Sequence, residues 1–437
     1  MEAKITSLNV TRRALLGGLA ATALLPLMAG CGDSGSPQPA SGGKVELPIW
    51  SNDDGFFNFF SGRAAALTKK GPFEYDLKQV KTNAGDVITK ALAAYQADGD
   101  IPGLLGMEIS TVSRFMKNNI GEQVLVDLTG KLGAPESDFF ASRVDPYRIN
   151  GKIMGMEAAY TLCTLYNRVD LWEKYKLPAT LATWDDYLKV GNELYAKHGV
   201  HLGVQAVTDS GYFMSMLMQR DVQMFDSDGK VVIDVREATK ILQWIVDAVA
   251  GGAIGVVADF WSGPAAGMVK ADKAISILGA DWMNAYFFQA NMPEQAGKWA
   301  ISVPPVFAEG GFKTSVSGGT GFAVSKNHPA AEAAVKLLQD GFGTVDGQVQ
   351  KFLDQGYLPT LKAAWEDSRV TAKEDEFLGG QKVMDVYKPL AESAPTQPQA
   401  ERYAALVAAA NTEVPNAFQG KKTAEQAIKD IIAAANR

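Results

Sequence analysis

Residues 151–194 read GKIMGMEAAYTLCTLYNRVDLWEKYKLPATLATWDDYLKVGNEL. Two β-like runs, KIMGM and TLCTLYN, flank the small residues Ala158 and Ala159. Thr183 then precedes Asp186 at the T-x-x-D spacing of a capping box. Tyr187, Leu188, Gly191, Leu194 and Tyr195 form one face of the helix it opens. Strand-like runs alternating with amphipathic helices argue an α/β fold with covered sheets.

The pattern repeats outward. In VELPIW, Val45, Leu47 and Ile49 alternate ahead of Trp50, and a helix follows over Asp86 to Tyr95. Asp234 with Glu237 caps a helix whose stripe is Ala238, Ile241, Leu242, Ile245, Val246 and Val249. Thr423 with Gln426 caps a last one carrying Ile428, Ile431 and Ile432. Further strand-like runs are KAISILGA, AISVPPVF and GTGFAVS. Trp172, Trp184 and Trp244 fall on or at the start of helical patterns, where large aromatics belong to the core.

The chain opens differently. Lys4, Arg12 and Arg13 precede a short apolar run over Ala14 to Leu27, the layout of an export signal and too short to span a bilayer. TRRALLGG resembles a twin-arginine signal, and LMAGC resembles a lipoprotein lipobox with Met28 where Leu is usual. The expectation is cleavage after residue 30 and a lipid on Cys31, against the alternative of a plain secreted chain. Residues 31–44, rich in Gly, Ser and Pro, read as a flexible tether. Loss of the leader moves the formal charge from −7 to −9, an acidic balance that argues against nucleic acid. Cys163 is then the sole thiol of the body, in an apolar run where it reads as buried and inert.

The opening block resembles the most recognisable segment of family 1 extracellular solute-binding proteins, the sugar-binding subunits of ABC importers. The matching points are Gly151-Lys152, Tyr166-Asn167, Leu177-Pro178 and Thr183-Trp184. DSDGKVVIDVREATKILQWIVDAVAGGAI, MVKADKAISILGADWM, GGTGFAVSKNHPAAEAAVKLL and GYLPTL match later elements in order, over about residues 45–437. Ala271-Asp272 depart from the usual Gly. The resemblance implies a two-lobed periplasmic-binding-protein-like α/β fold with a ligand cleft. It implies lobe 1 from 45–158 and 305–355, and lobe 2 from 159–304 and 356–437. Hinge crossings fall near Glu157–Tyr160, Val303–Pro305 and Gly356–Pro359. It further implies a monomer exported to the periplasm or cell surface, lipid-anchored to the membrane. Such a protein uses no cofactor and hands a mono- or oligosaccharide to a permease.

A sugar needs aromatic planes for its C–H faces and polar groups for its hydroxyls. Candidates at expected loop positions are Trp50, Asn52 and Asp53 after the first strand, and Glu157 and Tyr160 at the crossing. Further along come Trp261, Asp281 and Trp282, the backbone of Gly318, Gly319 and Thr320, and Tyr357. Other classes are weaker. HGVH (His198, His201) lacks a completing ligand for a metal, FDSDG reads as a hairpin turn rather than a calcium loop, and SGGTG lacks the rest of a phosphate cradle. No nucleophile elbow stands out, so a polysaccharide hydrolase trails the binding reading. A binder of a polyamine or other polar solute stays open, as does a signalling lipoprotein.

Overall fold

The computed structural model describes residues 42–437. The expected leader, Cys31 and most of the tether lie outside the described residues. Gly43 and Lys44, assigned to the tether by sequence, already belong to the first strand.

The strands in chain order are β1 (Gly43–Ser51), β2 (Phe73–Lys81), β3 (Leu104–Glu108), β4 (Arg148–Ile149), β5 (Lys152–Ile153), β6 (Met156–Glu157), β7 (Cys163–Arg168), β8 (Gly203–Ala206), β9 (Ile254–Val257), β10 (Ser276–Ala280), β11 (Trp299–Ser302) and β12 (Thr320–Val324). Five of them make the sheet of lobe 1, in the order β2-β1-β3-β12-β6. β1 runs parallel to β2 and β3, while β12 is antiparallel to β3 and β6. The period-2 pattern read from the sequence sorts the two faces. Val45, Leu47 and Ile49 pack with Phe56, Phe60 and Phe322 on one side, and Leu105, Met107 and Ala323 pack with Val87 and Phe115 on the other.

Lobe 2 carries the antiparallel sheet β10-β7-β11 and the parallel pair β8-β9. Its helices start where their caps predict. Thr183 Oγ1 accepts from Asp186 N at 3.1 Å, and Asp186 Oδ2 accepts from Thr183 N at 3.0 Å. Asp234 Oδ1 accepts from Arg236 N and Glu237 N, and Thr423 Oγ1 from Gln426 N. Each such cap stabilises its helix by about 1 kcal/mol. The indole N–H of Trp184 donates to Gln219 Oε1, and that of Trp244 to the Trp184 carbonyl, so both rings are satisfied core. Trp172 departs from expectation, being half-buried. It walls an outer groove of about 810 Å³ beside Leu177, Val303 and Pro304.

Three segments join the lobes. The first runs from β6 to β7 through Ala158–Leu162. The second is displaced from the expected Val303–Pro305. Pro305 O accepts from Gln219 Nε2, Val306 pairs with Thr183, and Val316 is buried in the lobe 2 core. The expected lobe 1 boundary at 305 therefore moves, and the chain leaves lobe 2 only after Val316, reaching β12 at Thr320. Pro304 and Pro305 stiffen lobe 2 rather than a hinge. The third passes Gly356–Thr360, after the helix Val345–Gln355 that packs on both cores.

Candidate functional site

The parallel strands of lobe 1 end at one edge, where Asn52, Asp53 and Glu108 gather. Open α/β sheets collect ligands at such carboxyl ends. Asn52 is half-buried, and its side chain makes no hydrogen bond among the described residues. Asp53 caps the helix Asp54–Thr68, with Gly55 N donating to Oδ1 at 2.8 Å, and the Tyr357 hydroxyl donates to Oδ2. Tyr357 is itself buried, its hydroxyl pKa pushed well up by burial and then by Asp53. It braces Asp53 and offers no open face. Trp50 also leaves the candidate set, because its ring packs beneath the helix Ala84–Gln96 side of the sheet.

Glu108 and Ser110 were missed by sequence reasoning. Glu108 ends β3 and accepts from Ser110 N at 2.9 Å and from the Ser110 hydroxyl. Burial raises its pKa to about 7, Ser110 opposes that shift, and Glu157 adds to it. The only signal was position after an apolar run.

Lobe 2 supplies the aromatic wall. Trp261 and Trp282 lie with ring centroids 5.7 Å apart and planes 34° apart, and Tyr286 stands edge-on 6.2 Å from Trp282. Trp261 is 51% exposed, whereas Trp282 is half-buried against both cores and donates its indole N–H to Ser317 O at 3.0 Å. The wall draws on the loop after β9, which carries Trp261, the end of β10, and a π-helical turn, Asn284–Gln289, which carries the exposed Tyr286. Trp282 packs against the cores of both lobes, so the aromatic wall meets lobe 1 at its base.

The other predicted residues form the hinge beneath this cleft, not its walls. Glu157 is buried, accepting from Tyr147 Oη at 2.8 Å and from Ala158 N and Ala159 N. Burial raises its pKa, opposed by Arg143. Tyr160 points away, donating to Ala391 O and stacking near Phe140. Asp281 accepts from Leu358 N at 2.8 Å, tying lobe 2 to the third crossing. Burial raises its pKa to about 7. Lys351, buried beside them, donates to Ala158 O and Gln348 Oε1, and burial lowers its pKa to about 7.

The carbonyls of Gly318, Gly319 and Thr320 are likewise spent, on Thr161 Oγ1, Ile109 N and Ala158 N. These carbonyls strap the second crossing to its neighbours. Gly319 has φ +126°, and a Cβ there would lie 2.6 Å from Glu157 Oε2, so both torsion and space require glycine. A cross-lobe bond from Gln399 Nε2 to Ile109 O, 3.0 Å, closes the floor near Glu108.

Elsewhere, FDSDG is the expected turn, with Asp226 Oδ1 accepting from Asp228 N and Lys230 N. His201 Nδ1 lies 2.7 Å from Gly252 O, and the His198 ring rests against Tyr175. Cys163 is buried, its thiol pushed up to about 12 by desolvation.

Most of this two-lobed body also matches a known sequence family. The model of bacterial extracellular solute-binding proteins aligns with residues 62–377. The chain belongs to that family. This solute-binding protein is 25% identical over 376 residues to the arabinooligosaccharide-binding protein of Bacillus subtilis strain 168, covering 82% of this chain and 84% of the relative. It is 24% identical over 362 residues to the lactose-binding protein of Rhizobium radiobacter, covering 77% and 80%. Among solved structures, the galacto-N-biose-/lacto-N-biose I-binding protein of the Bifidobacterium longum ABC transporter superposes with a TM-score of 0.76 at 17% identity, covering 91% of this chain and 97% of that one. The GacH receptor of Streptomyces glaucescens gives 0.73 at 20%, covering 90% and 97%. The fold is thus the two-lobed periplasmic-binding-protein fold, and these relatives and neighbours are binding proteins, not enzymes.

Proposed function

We propose that this solute-binding protein captures an oligosaccharide between its lobes and delivers it to an ABC importer permease. The observation that carries the reading is the Trp261–Trp282–Tyr286 wall opposite the polar lobe 1 edge of Asn52 and Glu108. Stacking planes across from hydrogen-bonding groups match the amphipathic faces of a sugar ring. The names of the relatives, which bind arabinooligosaccharides and lactose, point the same way. Export through the leader and a lipid on Cys31 would hold the protein outside the cytoplasmic membrane, beside its permease.

A polyamine fits less well. Asp53 already caps a helix, Asp54 is paired with Lys81, and Glu108 keeps its proton to about pH 7, leaving little free negative charge. The test is a thermal-shift screen of oligosaccharides, polyamines and amino acids, since a ligand that binds only the native state raises the melting temperature. Stabilisation by a polyamine and by no carbohydrate would overturn the reading. Mass spectrometry of the native N-terminus tests the anchor, and an unmodified Cys31 would end that part.

A further inference from the structure

We propose that the cleft ends, on the lobe 2 side, in a blind pocket that takes one terminal ring, so that the protein grips its oligosaccharide by an end. The inference rests on the carbohydrate reading above. A cavity of about 100 Å³ opens beside Trp261 and Trp282. Its floor is the buried end of β8 (Val204, Gln205, Ala206) with Cys163 of β7 and Gly279 of β10. Tyr212 and Ser215, buried on the helix Gly211–Gln219, close its side. Exposure therefore falls from rim to floor, as in a pocket closed at its inner end.

The size discriminates. A water needs roughly 10–15 Å³ of such space and a drug-sized ligand about 300 Å³ or more, so this cavity suits one ring and not a through-running chain. Gly279 lets Met283 pack closely against the floor, because a Cβ there would lie 2.3 Å from Met283 Sδ.

The lining also has the right polarity. The Gln205 amide nitrogen is spent on Ala206 O and Asp209 O, at 2.8 and 2.7 Å, which leaves its oxygen as an acceptor. Asp209 Oδ1 accepts from Gly211 N, and Oδ2 is unclaimed among the described residues. Burial raises the Asp209 pKa, with Asp259 adding to the shift, so the site disfavours a fixed negative charge and suits neutral hydroxyl donors. A ring seated here places its outgoing bond between the tryptophans, and the remaining units lie along the platform.

Calorimetry with maltotriose, β-1,6-galactobiose, lactose and arabinotriose identifies the best binder. That sugar is then remade with a bulky aryl group at the reducing end, at the non-reducing end, or at both. One singly blocked form should bind like the parent, while the other and the doubly blocked form should lose about tenfold or more. Filling the cavity with Ala206→Leu or Ser215→Leu should abolish parent binding. If those variants do not fold, Asp209→Asn keeps the acceptor for Gly211 N and should still weaken binding several-fold. Undiminished binding of the doubly blocked sugar, or of Asp209→Asn, overturns the pocket alone. Failure of the wild type to bind any carbohydrate overturns the pocket together with the reading beneath it.

Discussion

Truncating the two tryptophans should separate their roles. Trp282 joins both cores, and its indole N–H reaches Ser317 O at 3.0 Å on the second crossing. Trp282→Ala removes that bond, worth about 1 kcal/mol net, a stacked pair worth about 0.5–1.5 kcal/mol, and the burial of half a large ring. We expect about 3 kcal/mol of lost stability, which for a body of this size lowers the melting temperature by about 3–4 °C. Trp261, 51% exposed and with no hydrogen bond from its ring nitrogen among the described residues, should give up less than about 1 kcal/mol when replaced by Ala. Both variants should nevertheless weaken sugar binding by more than about 1 kcal/mol, at least fivefold. Trp282→Phe keeps a plane but loses the indole donor, so its affinity should fall less than its stability. Thermal denaturation and calorimetry on the same preparations read both quantities. Folded Ala variants that both bind with wild-type affinity would refute the platform.

Asp281 sets a pH dependence. Folded, it holds its proton to about pH 7, while an unfolded Asp releases it near 3.8, so the native state binds more protons between those values. Stability should fall as pH rises from about 4 to 7, and Asp281→Asn, which keeps an acceptor for Leu358 N, should flatten the slope by about one proton in urea titrations. An unchanged slope would show that the carboxyl ionises in the fold. Gly319→Ala should destabilise by at least about 1 kcal/mol and weaken ligand binding, because torsion and Glu157 both oppose a Cβ; a neutral result in denaturant melts would count against the strap. Thr183→Ala should cost about 1 kcal/mol in the same melts with no change in affinity, the cap being far from the cleft. Cys163 should react only slowly with a thiol reagent in the folded protein and rapidly once denaturant opens lobe 2, with peptide mapping to separate it from Cys31.

The elements were legible because local rules set them. Alternation in β1, the caps at Thr183, Asp234 and Thr423, and the turn at Asp226 each depend on residues a few positions apart. The candidate site was legible only in part. Trp261 and Trp282 stood outside the helical stripes, and the structure brings their rings together. Asp53, Glu157, Asp281 and Thr320 sit at the expected strand ends, but their partners are far away in the chain. Tyr357 takes Asp53, Leu358 N takes Asp281, and Gly319 covers Glu157. No local pattern tells a polar group aimed at solute from one consumed by a hinge. The second crossing was misplaced for a similar reason. Pro304 and Pro305 look like a joint locally, but Gln219 and Thr183 bind that stretch to lobe 2.

The strand order β2-β1-β3-β12-β6 bears on how the protein is made. β12 lies between β3 and β6, yet it is encoded more than 160 residues after β6 and more than 210 after β3, beyond all the strands of the second lobe. During synthesis the first sheet has a gap in its interior until Thr320–Val324 emerges, and β3 waits with an unpaired edge and apolar faces. The second lobe can pair its strands while the first sheet is still incomplete, so the sheet begun earlier is closed later. A ribosome-stalled chain ending before residue 320 should therefore be protease-sensitive in its first 150 residues, and release of a few dozen more residues should close the sheet in a single step.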